Sequence, residues 1–334
     1  MSTTNLENSW GIIPVAGKGH GLIAAVDIPK GTTILSEKEI FRYGIPVIPG
    51  FEYLDGSDRM DKFFESPSNV AWIAVGNAIA QLPQNEKDII QNLTYHGKTE
   101  DRTYWRIRSN SFTTYDGNDP GTPIVRVYEN ISRANHTCKP NAVFSFNDLT
   151  GQGQLRSIRE IRSRQEIEID YFSNVLSPQI RKKYLHENYG FQCTCEQCEH
   201  ASVRRSRRRA DDLFRTLDIE HCLHDGGSAC KMGRPIKNLL TNAKDYIEIL
   251  NHLEVYGQLL RDAYVRSAQL KYLRSLESGD NAKTIAIGAR SDIRIALNID
   301  SLCQGEDTAC IEIKDMYPGR RMSRAEAKLW EIEK

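Results

Sequence analysis

Nine residues in the middle of this chain, Arg133-Ala-Asn-His-Thr-Cys-Lys-Pro-Asn141, crowd together side chains that bind rather than pack. Asn135 offers an amide, His136 an imidazole, Cys138 a thiol and Asn141 a second amide, and Pro140 stiffens the turn by fixing φ and restricting Lys139. A polar loop is the plain alternative for the stretch taken alone. Three cysteines downstream alter that reading: Cys193, Cys195 and Cys198 form a Cys-x-Cys-x-x-Cys cluster too cramped for comfortable disulfide geometry. Three neighbouring thiolates suit tetrahedral zinc, which takes four ligands in a structural site, at about 2.3 Å per sulfur. Cys138 is the natural fourth donor, and a metal there staples the segment near 195 over the loop near 135, about 55 residues upstream. A set of free or redox-active thiols is the alternative.

The chain around these residues has 334 positions, enough for one large or two ordinary domains. Lys plus Arg and Asp plus Glu are balanced at 44 each, so no global field recruits nucleic acid or membrane. The N-terminal residues show no basic start followed by an apolar run, and no stretch approaches the ~18 apolar residues of a spanning helix. A soluble intracellular protein is expected, nuclear or cytoplasmic or both. Four of the eight cysteines fall at 138 and 193–198, which reads as metal ligation in a reducing compartment rather than a secreted disulfide framework.

Residues 10–43 hold short apolar runs broken by Gly17-Lys-Gly-His-Gly21 and by a Pro-Lys-Gly turn, which reads as short strands. The three glycines suit a turn or the close approach of backbone to a ligand. They are no dinucleotide fingerprint, because a strand follows where that fingerprint needs a helix. Residues 57–95 change to helical patterning, with Pro67 and Pro83 as start or stop signals. Aromatic and β-branched residues return over 103–114, including Asn110-Ser-Phe112, and Pro123–Tyr128 feeds the central stretch. Residues 142–147 and 154–159 alternate with period two about a Gly-rich turn and read as a hairpin. Residues 164–171 read as a strand ending at Tyr171, and Pro178–Tyr189 as a short helix. Helices are expected near 236–256, 258–276, 281–297 and 323–333, without a tetratricopeptide repeat.

Four motifs, in this order, resemble a SET-domain methyltransferase with its post-SET zinc site: Gly17-Lys-Gly-His-Gly21, Asn135-His-Thr-Cys-Lys-Pro-Asn141, Glu166-Ile-Glu-Ile-Asp-Tyr171 and the 193–198 cysteines. The run from Arg181 to Cys198 is most similar to the branch that carries a MYND finger. The insert at 44–122 contains no cysteine, so that finger is not expected. The resemblance covers about residues 10–200. It implies an α+β SET fold, small curved β-sheets around a pseudo-knotted centre, with the helical insert at about 44–122, a post-SET segment at 189–198, and a helical C-terminal region over 201–334.

It also implies S-adenosylmethionine as methyl donor and a protein lysine as acceptor, histone by default and non-histone next. Lys18 and His20 would line the methionine end of the cofactor, with Lys18 facing its carboxylate. Asn135 and His136 would hold it by amide and backbone hydrogen bonds, while Phe191, with Tyr189 beside it, would cover adenine. Tyr171 would orient the amine and methyl group in an in-line displacement that excludes water. Tyr128 would offer a second aromatic wall. A free lysine has a pKa of about 10.4, and burial beside a sulfonium lowers it, so no strong general base is required.

Each residue has a plain structural alternative: His20 a turn residue, His136 a structural histidine, Tyr171 a packed strand-end ring, Phe191 core. The five arginines within Arg204–Arg209 read as a solvated helix face, with a nuclear address as the alternative. His221, Cys222, His224 and Cys230 form a weak second candidate for metal binding, and Cys303 and Cys310 read as buried thiols. The rival from another class is a SET fold that binds a lysine peptide or cofactor without turnover. The protein is expected to be monomeric, with a protein substrate and no direct nucleic-acid or membrane partner.

Overall fold

A computed structural model describes residues 9–46, 63–64, 71–97, 101–115, 122–171, 177–217, 235–277 and 281–305. The chain forms two compact units: Met1–His136 with Pro140–Ile169 and Lys182–Cys193, and Thr137–Lys139 with Asp170–Arg181 and Thr194–Lys334.

The first unit carries ten short strands in three sheets among its described residues: β1 (Trp10–Val15), β2 (Gly19–Ala24), β3 (Thr33–Glu37), β4 (Phe41–Gly44), β5 (Ser111–Tyr115), β6 (Pro123–Val127), β7 (Asn135–His136), β8 (Ala142–Asn147), β9 (Gln152–Ser157) and β10 (Glu166–Ile169). Their orders are β1-β2-β10-β7, β3-β9-β8 and β4-β6-β5. The β8–β9 hairpin is the one read from period-two alternation, with Ala142 opposite Ser157 and Asn147 opposite Gln152. In β9 that alternation becomes burial, since Gly153, Leu155 and Ser157 face inward. Strand β6 is instead buried at every position, as expected for the centre strand of its sheet. Its Arg126 is accommodated by an ion pair to Glu39 at 2.7 Å, a hydrogen bond to Thr114 Oγ1 at 2.8 Å, and the face of Phe146 at 3.8 Å.

Helices α1 (Ala71–Ala80), α2 (Gln84–Gln91) and α3 (Arg102–Asn110) occupy the predicted insert. Pro83 stands at the start of α2, where its missing N–H costs nothing. Residues 102–110 are helical, although their aromatic content suggests strand. Tyr104 and Ile107 are turned inward onto Phe63 and Trp72 in a core shared with Phe41, Val125 and Val127. Tyr104 meets Trp72 edge-on at 4.8 Å, so packing overrides propensity. Helix α4 (Pro178–Tyr189) has the predicted bounds.

The second unit is helical in its described residues beyond 194: α5 (Glu196–Glu199), α6 (Ala201–Leu217), α7 (Ile236–His252), α8 (Gln258–Glu277) and α9 (Ala282–Gln304). Helix α8 packs against both α7 and α9, which is why it lacks a single apolar stripe. Its buried Arg266 donates to the Leu217 carbonyl at 3.1 Å and Gln269 Oε1 at 3.2 Å, and Lys271 pairs with Asp292 at 2.6 Å. The expected helix near 323–333, the cluster from His221 to Cys230, Pro67 and Cys310 lie outside the described residues; Cys303 is a buried thiol as read. No helix among the described residues is long and apolar enough to cross a membrane.

Gly190, between the two aromatic residues assigned to the cofactor, has φ +75°, and a Cβ there would stand 2.1 Å from the His96 ring. Gly190→Ala should therefore cost more than the ~1–2 kcal/mol of an ordinary left-handed residue. Denaturant unfolding checks this: adding His96→Ala should recover the steric part and leave the backbone part.

Candidate active site and metal centre

Strand β10 is the frame of the site. On one side Glu166 and Ile167 pair with Ile23 and Leu22 of β2; on the other, Glu168 and Ile169 pair in parallel with Asn135 and His136 of β7. Asn141 continues the ladder with its side chain. Its Nδ2 donates to the Glu166 carbonyl at 2.8 Å and its Oδ1 accepts from the Glu168 N–H at 2.9 Å, while the residue itself is only 5% exposed. A buried amide that satisfies two strand groups substitutes for a backbone neighbour.

The glycines at the β1–β2 connection have separate duties. Gly17 and Gly19 take φ +75° and +78°, which the turn requires, whereas Gly21 is a close approach. A Cβ at Gly21 would lie 2.7 Å from Glu166 Oε1 and 2.8 Å from Asn135 Nδ2. Asn135 Nδ2 uses that proximity to donate to the His20 carbonyl at 3.1 Å and to Glu166 Oε1 at 2.8 Å. Lys18 and His20 are both exposed. Lys18 Nζ meets Glu166 at 2.9 Å and Glu168 at 2.5 Å. Burial works against the ammonium, but the hydrogen bonds and charges of Glu168 and Glu166 outweigh it and hold the Lys18 pKa above its ordinary value. Burial raises the Glu168 pKa as well, against the pull of Lys18.

His136 is buried, with its ring 6.1 Å from that of half-buried Phe191. Tyr189 stands 6.5 Å from Phe191 and 6.3 Å from Tyr184. Lys18, His20, Asn135, His136, Tyr189 and Phe191 thus all belong to the first unit. Tyr171 lies two residues beyond β10, not within it, and belongs to the second unit. Tyr128 is no wall of an open site: it is wholly buried, between Phe112 at 5.9 Å and Phe144 at 5.6 Å, with Gly153 leaving room for its ring.

The four cysteines read from spacing come together. The sulfurs of Cys138, Cys193, Cys195 and Cys198 all lie within 4.8 Å of one another. Cys138 and Cys198 are 3.5 Å apart, too far for a disulfide and close to the ~3.8 Å edge that a tetrahedral zinc-thiolate site would have. Three of the four, Cys138, Cys193 and Cys198, are buried. The donor set fits zinc. Arg181, fully buried, donates through one terminal nitrogen to Cys138 Sγ at 3.2 Å and to Asp170 at 3.0 and 3.1 Å. Arg207 is 1% exposed, so the arginine run is not wholly solvated; it donates to the Cys138 carbonyl at 3.0 Å.

Residues 19–172 match the SET domain family. The chain is similar to the histone-lysine N-methyltransferase set5 of Schizosaccharomyces pombe, 27% identical over 205 residues, or 61% of this chain and 54% of that protein. The histone-lysine N-methyltransferase SMYD3 of Homo sapiens is 35% identical over 161 residues, covering 45% of this chain and 37% of that protein. The N-lysine methyltransferase SMYD2-B of Danio rerio is 26% identical over 112 residues, covering 32% and 25%. The chain thus spans about half or less of the length of these relatives.

Sequence reasoning quoted Glu166 and Glu168 within a motif and Arg181 and Arg207 within longer runs, but gave none of the four a place in the site. The alternation Glu-Ile-Glu-Ile in β10 does signal the first two, since it buries the isoleucines and leaves both carboxylates on the opposite face. For Cys138, metal analysis of the purified chain should find about one zinc per molecule. Cys138→Ser should lower that content and accelerate release to a chelator by at least about tenfold.

Proposed function

We propose that this chain is an S-adenosylmethionine-dependent protein-lysine methyltransferase. The observation that carries the reading is the four-stranded sheet in which the Gly-rich β1–β2 connection, Asn135 and His136 of β7, and the carboxylates of β10 adjoin, with Tyr171 directly downstream. Lys18, Asn135, Glu166 and Glu168 present a cation, an amide and two carboxylates at the mouth of a hairpin that Gly21 keeps free of side chain. That mixture suits a zwitterionic amino-acid group such as the methionine end of the cofactor. The names of the relatives support lysine as the acceptor, histone lysine first and another protein lysine next.

When bound, S-adenosylmethionine supplies an electrophilic methyl group on a sulfonium. This chain's residues supply position and exclusion of water. Asn135 already anchors β7 to the hairpin and to Glu166, so its amide is preorganised. Lys18 uses two of its three N–H donors on Glu166 and Glu168, so the third could meet the cofactor carboxylate. Phe191 and Tyr189 are the rings that would cover adenine. The Tyr171 hydroxyl would accept a hydrogen bond from the incoming amine and orient its lone pair. Amine deprotonation is favoured by burial and by the neighbouring positive charge. The cysteine cluster would hold zinc in a structural role, and the SET domain is expected to act on proteins in the nucleus, the cytoplasm or both.

Transfer of labelled methyl from S-adenosylmethionine into histones and, in parallel, into a whole-cell protein extract tests the reading. Label should appear in a protein band and fall about 100-fold with Tyr171→Phe. No label from a preparation that binds the cofactor would replace the enzyme with a SET-fold binding module. Phe191→Ala should weaken cofactor affinity about fivefold by calorimetry, the loss of a ring stacked on a base; unchanged affinity would remove Phe191 from the adenine site.

A further inference from the structure

The cysteine cluster sits beside two buried guanidinium groups, those of Arg181 and Arg207, which donate to the Cys138 sulfur and to the Cys138 carbonyl. With zinc bound to four thiolates it would carry a formal charge of about −2. Arg181 is 0% exposed and Arg207 1% exposed. Arg207 donates to the Cys138 carbonyl at 3.0 Å and to Gln197 Oε1 at 3.2 Å, and no carboxylate pairs with it among the described residues. Two buried like charges are costly unless an anion lies between them, and Asp170 supplies one negative charge for the pair. With zinc bound, the four thiolates would supply the rest.

Arg181 does more than balance charge. One of its terminal nitrogens donates to Cys138 Sγ at 3.2 Å and to both Asp170 oxygens at 3.0 and 3.1 Å. Asp170 immediately precedes Tyr171, and the intervening peptide is all that separates the clamped carboxylate from the ring. Helix α4, which carries Arg181 in its first turn, holds the guanidinium on a rigid element; the Arg181 N–H donates to the Ser177 carbonyl at 3.0 Å.

We propose that Arg181 is a positioning residue that couples the cysteine metal centre to Tyr171. Its guanidinium stabilises the Cys138 thiolate as a metal ligand and, from the same nitrogen, fixes Asp170 and so the backbone at Tyr171. Loading the metal and ordering the Tyr171 segment are therefore one linked equilibrium, in which each favours the other by the same factor. The inference rests on the methyltransferase reading for the meaning of Tyr171, but not for its test.

The test uses the full chain loaded with zinc, and two readouts that need no methyl transfer. Zinc release to a chromogenic chelator is followed at fixed pH, and hydrogen exchange of the Asp170 and Tyr171 amides is followed by mass spectrometry with and without zinc. Arg181→Met should release zinc 10- to 100-fold faster. Arg181→Lys should recover most of that retention, since it restores the charge, yet leave exchange at 170–171 several-fold faster than in the parent, because an ammonium on a shorter reach cannot also clamp Asp170. Asp170→Ala, at a side chain 24% exposed in the parent, should retain zinc within about threefold of the parent, because the Arg181 contact to Cys138 remains. In the parent, removing zinc should accelerate exchange at 170–171 several-fold; in Asp170→Ala it should change it little, because the link is already cut.

Parent-like zinc release in Arg181→Met, or an equal response of 170–171 to zinc removal in the parent and in Asp170→Ala, would overturn the proposal. So would faster exchange spread equally into the β8–β9 hairpin, which marks general loosening. Should Arg181→Met fail to fold, the Arg181→Lys and Asp170→Ala comparisons decide alone. A parent chain that transfers no methyl would end the methyltransferase reading and leave these results standing.

Discussion

Strand β10 is four residues long, too short to hold itself in place, and the site exists because hydrogen bonds fix it from both sides. The hairpin strand β2 takes one edge; Asn135, His136 and the Asn141 side chain take the other. A shift of one residue would turn Glu166 and Glu168 inward and push Ile167 and Ile169 into solvent. The Asn141 amide opposes such a shift, because it reads one acceptor and one donor at fixed positions. Everything placed by β10, from the Lys18 ion pairs to the start of the Tyr171 segment, inherits that register.

Charge is managed locally in each unit. In the first, two carboxylates hold one exposed ammonium, and in the second, two buried guanidinium groups lie beside sulfur and a single carboxylate. The first arrangement is open to solvent and exchangeable. The second is closed, so removing either partner would leave a charge without compensation, which is far more damaging than losing a surface pair. The polarity of the two groups matches their proposed roles, one meeting a diffusing ligand and the other securing a resident ion.

The sequence made the β8–β9 hairpin legible because one face of it is solvated and alternation survives. Helix α4 was legible from its proline start and its length. The cysteine cluster was legible because ligand chemistry tolerates few substitutes, and its spacing argued against disulfides within it. Helix α3 was not, because Tyr104 and Trp105 favour strand locally and only the tertiary partners Phe63 and Trp72 reverse that preference. Arg207 read as part of a solvated run, since nothing near it in sequence reveals the carbonyl of Cys138. Tyr128 read as a site wall for the same reason: Phe144, which encloses it, lies in β8, further along the chain. The strand predicted to end at Tyr171 stops at Ile169, where β7 runs out of partners.

The sheet that frames the site joins distant parts of the chain: Lys18 meets Glu166 across 148 positions, whereas the β8–β9 hairpin closes within one short turn. Contacts of such long sequence separation form slowly, since the entropy of closing the intervening loop is lost before any strand pairing is gained. During synthesis β1 and β2 emerge well ahead of the strand that completes their sheet, and their free edge must wait, exposed, for β10. The open flank of β2 is thus the part of a nascent molecule most in need of shielding, and ligand competence marks the end of folding rather than an early stage of it.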